Sequence, residues 1–309
     1  MQPIVQRSLP LLLAALALTS LWGCPRDIPP PANALTDPAE LLGAMHTVDE
    51  NIQTIRFKET ALQYFGEEGR VSVKQTILWG QPDRLRIQTY LPGIDSVAGV
   101  LVCACGQFAY HDRQENIYYY GEATAANIAR FVPVGLTCRD VGTLLVGSAP
   151  FERIAEARGE PTLAWDRETG RYALSVPIVS GLDAGGRIDL QIQHDHFRVA
   201  QLRTTNANGQ LVYAYEVDDF EDVAGQIIPR RRQFSVERSG DDFSLKNGEV
   251  QLNPELPDAV FALGPPQGTP VRYLGTGPER PVHLDGNLCA PAPSIAPNDG
   301  STHEDTVAP

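Results

Sequence analysis

Residues 84–112 read RLRIQTYLPGIDSVAGVLVCACGQFAYHD, and the period of their apolar positions decides the fold. Leu85 and Ile87 alternate with polar neighbours up to Tyr90, Pro92-Gly93 breaks the run, and residues 97–105 and 107–111 resume it. A period of two puts successive side chains on opposite faces of a strand, and a Pro-Gly break turns one strand back on the next. Working outward, the same period holds upstream over residues 57–65 and 71–79. Downstream it holds over residues 117–120, 163–166, 171–179, 187–193, 197–204, 211–220, 228–238 and 242–252. Short polar connections such as Gly66-Glu67-Glu68-Gly69 and Gln81-Pro82-Asp83 make antiparallel neighbours. About a dozen strands cannot stay flat and bury an apolar face, so the sheet must curl or split. The expected class is therefore mostly β with some α, a strongly curved antiparallel sheet around an apolar concavity.

Two stretches have helical spacing instead. Asp37-Pro38-Ala39-Glu40 supplies an N-cap, a proline at the first helical position and a capping-box glutamate. Leu41, Leu42, Met45, Val48, Ile52 and Ile55 then form one apolar stripe. Residues 124–146 form a helical interlude among the strands, with Thr124 and Thr137 as candidate caps.

The first residues carry a different signal. Arg7, an apolar run over residues 9–18 and Leu21-Trp22-Gly23-Cys24 have the shape of a lipoprotein signal peptide, residues 1–23, with Cys24 as the lipidated first residue of the mature chain. The apolar run is too short to span a bilayer of ~30 Å. Two or more acyl chains on Cys24 would make a durable anchor where one would be marginal. Residues 24–36 are proline-rich and read as a tether, residues 37–263 as the folded domain, and residues 264–309, rich in Pro and Gly, as a disordered tail except where Cys289 holds it.

A formal charge of -13 disfavours nucleic acid and anionic surfaces as partners. Apart from Cys24 there are four cysteines, Cys103, Cys105, Cys138 and Cys289, an even number suited to disulfides in an oxidising compartment. Three pairings are available. Cys103 and Cys105, on one strand face with α-carbons ~7 Å apart, are poorly placed to join each other, so bridges from this pair to Cys138 and Cys289 are the more natural arrangement.

Few residues suggest chemistry. No nucleophile elbow, zinc-protease helix, phosphate loop or dinucleotide fingerprint is present. His194-Asp195-His196 would place two imidazoles on one strand face without a third ligand, so it reads as a polar strand edge, with no metal or cofactor expected. Arg230-Arg231-Arg232 reads as surface pairing with Asp218, Asp219, Glu221 and Asp222, and Tyr118-Tyr119-Tyr120 as core and rim of a hairpin. No acid-base pair or oriented nucleophile can be placed, and an enzyme is not expected. The loop Tyr90-Leu91-Pro92-Gly93-Ile94 carries Leu91 and Ile94 around a turn, either onto the core or out toward a bilayer.

Residues 84–151 resemble the LolA and LolB class of envelope lipoprotein carriers. The resemblance rests on the strand ending in Tyr90-Leu91-Pro92-Gly93-Ile94, the strands that follow it and the tyrosine-rich return. It rests also on two short helices ending in Leu144-Leu145-Val146-Gly147, and on a closing phrase over residues 252–261 similar to that superfamily's last strand. It covers residues 37–263. It implies a half-open β-barrel with a helical lid, whose apolar interior accepts the acyl chains of another lipoprotein or of other lipids, with a periplasmic carrier protein as a further partner. By the same resemblance, Leu91 and Ile94 would form a membrane-insertion loop lying outside that interior. Pro25 is not the aspartate that marks inner-membrane retention in enteric bacteria, which favours the outer membrane facing the periplasm, the inner membrane being the alternative. The expected function is a non-enzymatic carrier or acceptor that helps lipoproteins reach the outer membrane. The alternative is an envelope sensor or interaction module on the same fold.

Overall fold

A computed structural model describes residues 27–66, 69–94, 96–132, 136–181, 183–236, 240–275 and 285–290. Residues 1–23, expected to be a signal peptide, and Cys24 lie outside the described residues. By internal contacts the described residues form two compact units, one drawn from within 27–53, 63–71 and 143–246, the other from within 54–62, 72–142 and 247–290.

The second unit contains β1 (Thr54–Gly66) up to residue 62, most of β2 (Gly69–Gly80), β3 (Arg84–Tyr90), β4 (Val97–Ala104), β5 (Gln107–Asp112) and β6 (Ile117–Glu122) as successive antiparallel neighbours. Thr124 caps the helix Ala125–Ile128 by accepting the Asn127 N–H, as the interlude predicts. A second helix, Cys138–Leu145, begins at Thr137, whose hydroxyl accepts the Asp140 N–H. Among the described residues the α-helices are α1 (Pro38–Glu50), α2 (Ala125–Ile128), α3 (Cys138–Leu145) and α4 (Phe151–Ala157).

Strand β4 is buried on both faces. Leu78, Val100 and Val102 pack against Leu256 and Phe261 of the C-terminal segment. On the other face Cys103 is bridged to Cys138 at the start of α3, and Phe131 packs on Phe108 and Tyr110. Several expectations are corrected here. Residues 252–261 do not continue a strand, because Pro254 and Pro257 remove ladder donors. The strand β14 (Glu249–Leu252) ends first, and Asp258–Phe261 forms a 3-10 turn that seats Phe261. The tail is not disordered throughout its described part: β15 (Val271–Leu274) runs parallel to β6 and covers its open edge, with the Tyr273 ring tilted against that of Tyr120.

The first unit adds β7 (Thr162–Asp166), β8 (Arg171–Pro177), β9 (Arg187–Gln193), β10 (Val199–Thr205), β11 (Leu211–Val223), β12 (Gln226–Val236) and β13 (Asp241–Lys246), again antiparallel in sequence order. Within this unit the ladder order is β13-β12-β11-β10-β9-β8-β7. Helix α1 starts as its sequence dictates, with Asp37 Oδ1 accepting the Ala39 N–H at 2.8 Å and Pro38 at the first position, and Leu41 and Met45 are buried. Helix α4 is an element the pattern reading leaves out.

Residues 27–36, expected to be a tether, are seated on the edge of β7 and β8. The Ile28 N–H donates to Arg167 O at 2.8 Å, Trp165 Nε1 donates to Ile28 O at 2.9 Å, and the Leu35 N–H donates to Tyr172 Oη at 3.0 Å. The open edge of β7 supplies backbone partners that a proline-rich segment can use without forming a strand itself. The run expected over residues 242–252 splits at Asn247-Gly248, where a side chain on Gly248 would press on the carbonyls of Lys58 and Glu59.

Candidate functional site

The loop of residues 91–94 is held by Leu91 N–H to Ser96 O at 2.8 Å and Ile94 N–H to Leu91 O at 3.4 Å, with Gly93 at φ +77° making the turn. Leu91 is half-buried, whereas Ile94 is 57% exposed. The turn is therefore not tucked onto the core. It forms one wall of a groove of about 760 Å³, whose other walls come from β1, β2 and β3. That volume lies within the roughly 300–1,000 Å³ common for small-molecule sites.

The groove is amphipathic. Ala61, Val73, Leu91, Pro92 and Ile94 supply apolar surface, and Lys58, Glu59, Lys74, Thr76 and Tyr90 the polar part. Tyr90 Oη accepts from Gln88 Nε2 at 2.9 Å and lies 3.4 Å from Thr76 Oγ1. Lys58 Nζ is 3.0 Å from Glu249, and Lys74 Nζ is 3.9 Å from Glu59. Glu59 has φ +51°, and the burial of β1 changes phase there, from Ile55 and Phe57 to Thr60. A strand irregularity of that kind re-aims side chains and turns Glu59 toward the groove rim. Further along β3, burial lowers the pKa of the Arg86 guanidinium against the pull of Tyr90.

The four cysteines form two bridges, Cys103 to Cys138 and Cys105 to Cys289, with α-carbons 6.3 and 5.2 Å apart. Cys105 is not on the strand face of Cys103, because β4 ends at Ala104 and Cys105 lies in the turn at φ +52°. His194, Asp195 and His196 lie in the β9–β10 turn, where His194 packs on Trp165 and His196 on Phe220. Among the described residues no group of three His, Cys, Asp or Glu is placed to hold a metal ion, and no helix is long and apolar enough to cross a membrane.

The arginine triplet divides. Arg230 pairs with Asp219 at 3.5 Å as expected, but Arg232 is buried and donates to the carbonyls of Leu145 and Pro229 at 2.9 and 3.0 Å. Burial lowers its guanidinium to about 10, against the pull of Tyr215 and Glu221. Tyr215 Oη donates to Leu144 O at 2.9 Å, so two side chains satisfy the last carbonyls of α3. Gly147 at φ +76° completes that end: its N–H donates to Leu144 O and the Ser148 N–H to Thr143 O. Ser148 then meets Asp49 of α1, whose Oδ1 accepts from Arg198 Nη1 at 2.5 Å. Pattern reading misses Asp49, Ser148 and Arg198, since their meeting depends on three distant segments. It also misses the groove lysines, although the scarcity of lysine in the chain is a visible signal.

With this geometry in hand, solved structures show what it is similar to. A putative outer membrane lipoprotein-sorting protein domain from Vibrio parahaemolyticus matches with TM-score 0.55 at 9% identity, over 72% of this chain and 94% of that one. A DUF1329 family protein from Desulfovibrio piger matches with TM-score 0.54 at 13% identity, over 72% and 94%. A LolA superfamily protein from Nitrosomonas europaea matches with TM-score 0.51 at 12% identity, over 74% and 99%. The chain has a LolA-like fold. No protein-family model matches the sequence, and no curated protein does. At these identities the likeness concerns the fold, mostly β with few helices, and leaves the site to be argued from its own residues.

Proposed function

We propose that this protein is a non-enzymatic, lipid-anchored carrier or acceptor of the bacterial envelope that binds the acyl chains of other lipoproteins and assists their localisation to the outer membrane. In this reading Cys24 carries the anchor, the sheet curves into a half-open barrel, α2 and α3 form its lid, and the loop at Leu91 and Ile94 meets the bilayer. The observation that carries it is the loop itself, which presents an exposed Ile94 beside Leu91 and Pro92 on a LolA-like fold. A single exposed isoleucine would mean little, but an apolar wall on a fixed turn is a surface that gains by leaving water. The likeness to a domain described as outer membrane lipoprotein-sorting supports the same reading. Acyl affinity would come from apolar burial at ~25 cal/mol per Å². The face of β4 and β5 toward α3 is filled by the protein's own side chains, and the Cys103–Cys138 bridge fixes the start of α3. Loading therefore displaces α2 and Phe131 in preference to α3.

The test is a fluorescent fatty-acyl probe, which should bind the purified protein and be displaced by an acylated lipoprotein. Replacing Leu91 and Ile94 with Gln should slow transfer to liposomes at least about tenfold, since each such side chain contributes roughly 1.5–3 kcal/mol on leaving water. Absence of acyl binding would move the protein to the interaction-module class. Unchanged transfer would remove the loop from the mechanism.

A further inference from the structure

The chain contains three lysines, and two of them, Lys58 and Lys74, line the groove beside residues 91–94. Their neighbours there include the apolar side chains Val73, Leu91 and Ile94. Lysine is a compact, strongly hydrated point charge on a flexible stem, suited to a phosphate met at an aqueous boundary. Both have carboxylate partners. Lys58 faces Glu249, which also accepts from Gln251 at 2.6 Å, and Lys74 lies at 3.9 Å from Glu59, both members of this pair being well exposed. Exposed pairs of this kind are weak and give way to a stronger acceptor. In a protein of formal charge -13, two of its three lysines thus meet at this groove next to its apolar turn, each held by one carboxylate that a phosphate would replace.

We propose that this groove is a binding site for the anionic headgroup of a membrane glycerophospholipid, with Lys74 and Lys58 on the phosphate and Leu91 and Ile94 against the glycerol and upper acyl chains. This rests on the reading that the loop meets a bilayer, but not on cargo binding. An acidic protein is repelled by an anionic surface as a whole, so a groove whose two lysines exchange their weak carboxylate partners for phosphates selects the orientation in which the loop arrives first.

The experiment uses the full-length lipidated protein, carrying an environment-sensitive dye through Ser96→Cys, in vesicles of phosphatidylcholine alone or mixed with phosphatidylglycerol. The dye should shift to the blue with phosphatidylglycerol, and Lys58→Gln and Lys74→Gln should each reduce the inserted population about fivefold. Lys246→Gln, outside the groove, should leave it unchanged. Equal shifts on both vesicle types, or an unaltered shift in the double lysine variant, would overturn the site. A response to inorganic phosphate in the absence of vesicles would assign it to a free anion and overturn the lipid reading as well. Acyl-probe binding in the same samples separates the two proposals: its loss with the headgroup response intact sinks the carrier reading alone, and the reverse result sinks the headgroup site alone.

Discussion

Asp49 and Arg198 are buried against each other, Arg198 at 1% side-chain exposure and Asp49 at 13%. Burial raises the Asp49 carboxyl above its ordinary value, outweighing Ser148 and Arg198, which pull it down. Burial likewise lowers the Arg198 guanidinium, outweighing Asp49. Desolvation thus dominates on both partners, and the pair is a costly arrangement that is worse when half of it is removed. Asp49→Asn or Arg198→Met alone should cost about 3–5 kcal/mol in urea unfolding, and the double variant less than the sum. The pH dependence has a definite sign. A carboxyl with a raised folded pKa takes up a proton on folding, so its contribution grows as pH falls through the raised value toward 3.8 and is lost as pH rises through it. Asp166 and Glu249, held low by Thr169 and Lys58, act in the opposite direction. Comparing unfolding curves of parent and Asp49→Asn across that range isolates the contribution. A difference that does not change with pH would contradict the burial argument.

Helix α3 shows how an element can contradict its own propensities. Gly142 sits inside it, where glycine ordinarily costs about 1 kcal/mol relative to alanine. A Cβ there would run into the indole of Trp79, itself buried on β2. Gly142→Ala should therefore destabilise by about 1–3 kcal/mol through overpacking, despite the better helix former. A stabilised variant in thermal or urea unfolding would show that the indole moves aside freely. The strands and α1 were legible because period and caps are local: residues 187–193 are β9, and Asp37-Pro38 starts α1. The groove was legible only in its loop, because its floor depends on Glu59 shifting the phase of β1. The seating of residues 27–36 and the pairing of β15 are settled by open sheet edges far away in sequence, which no local pattern encodes.

At the scale of the whole chain, the two disulfides act on very different lengths. Cys103–Cys138 spans 35 residues and Cys105–Cys289 spans 184. If a cross-link stabilises by restricting the unfolded chain, the longer loop should contribute more, about 5 kcal/mol against about 4 kcal/mol. The longer bridge also holds Leu288 beside Leu263 on the packing of β4 and β6, so its loss exposes apolar surface as well. The shorter bridge instead fixes α3 to β4, and its loss should be felt in acyl-probe binding through a looser lid. The expected outcome is a split. Replacing Cys105 and Cys289 with Ser should give the larger fall in the urea midpoint, with probe binding nearly intact, while replacing Cys103 and Cys138 should give the smaller fall and faster probe exchange. Equal midpoints would show that residual structure in the unfolded chain cancels the loop-length difference. An unchanged exchange rate would show that α3 stays seated on the sheet through Trp79 of β2 and Gly142 without its covalent tie.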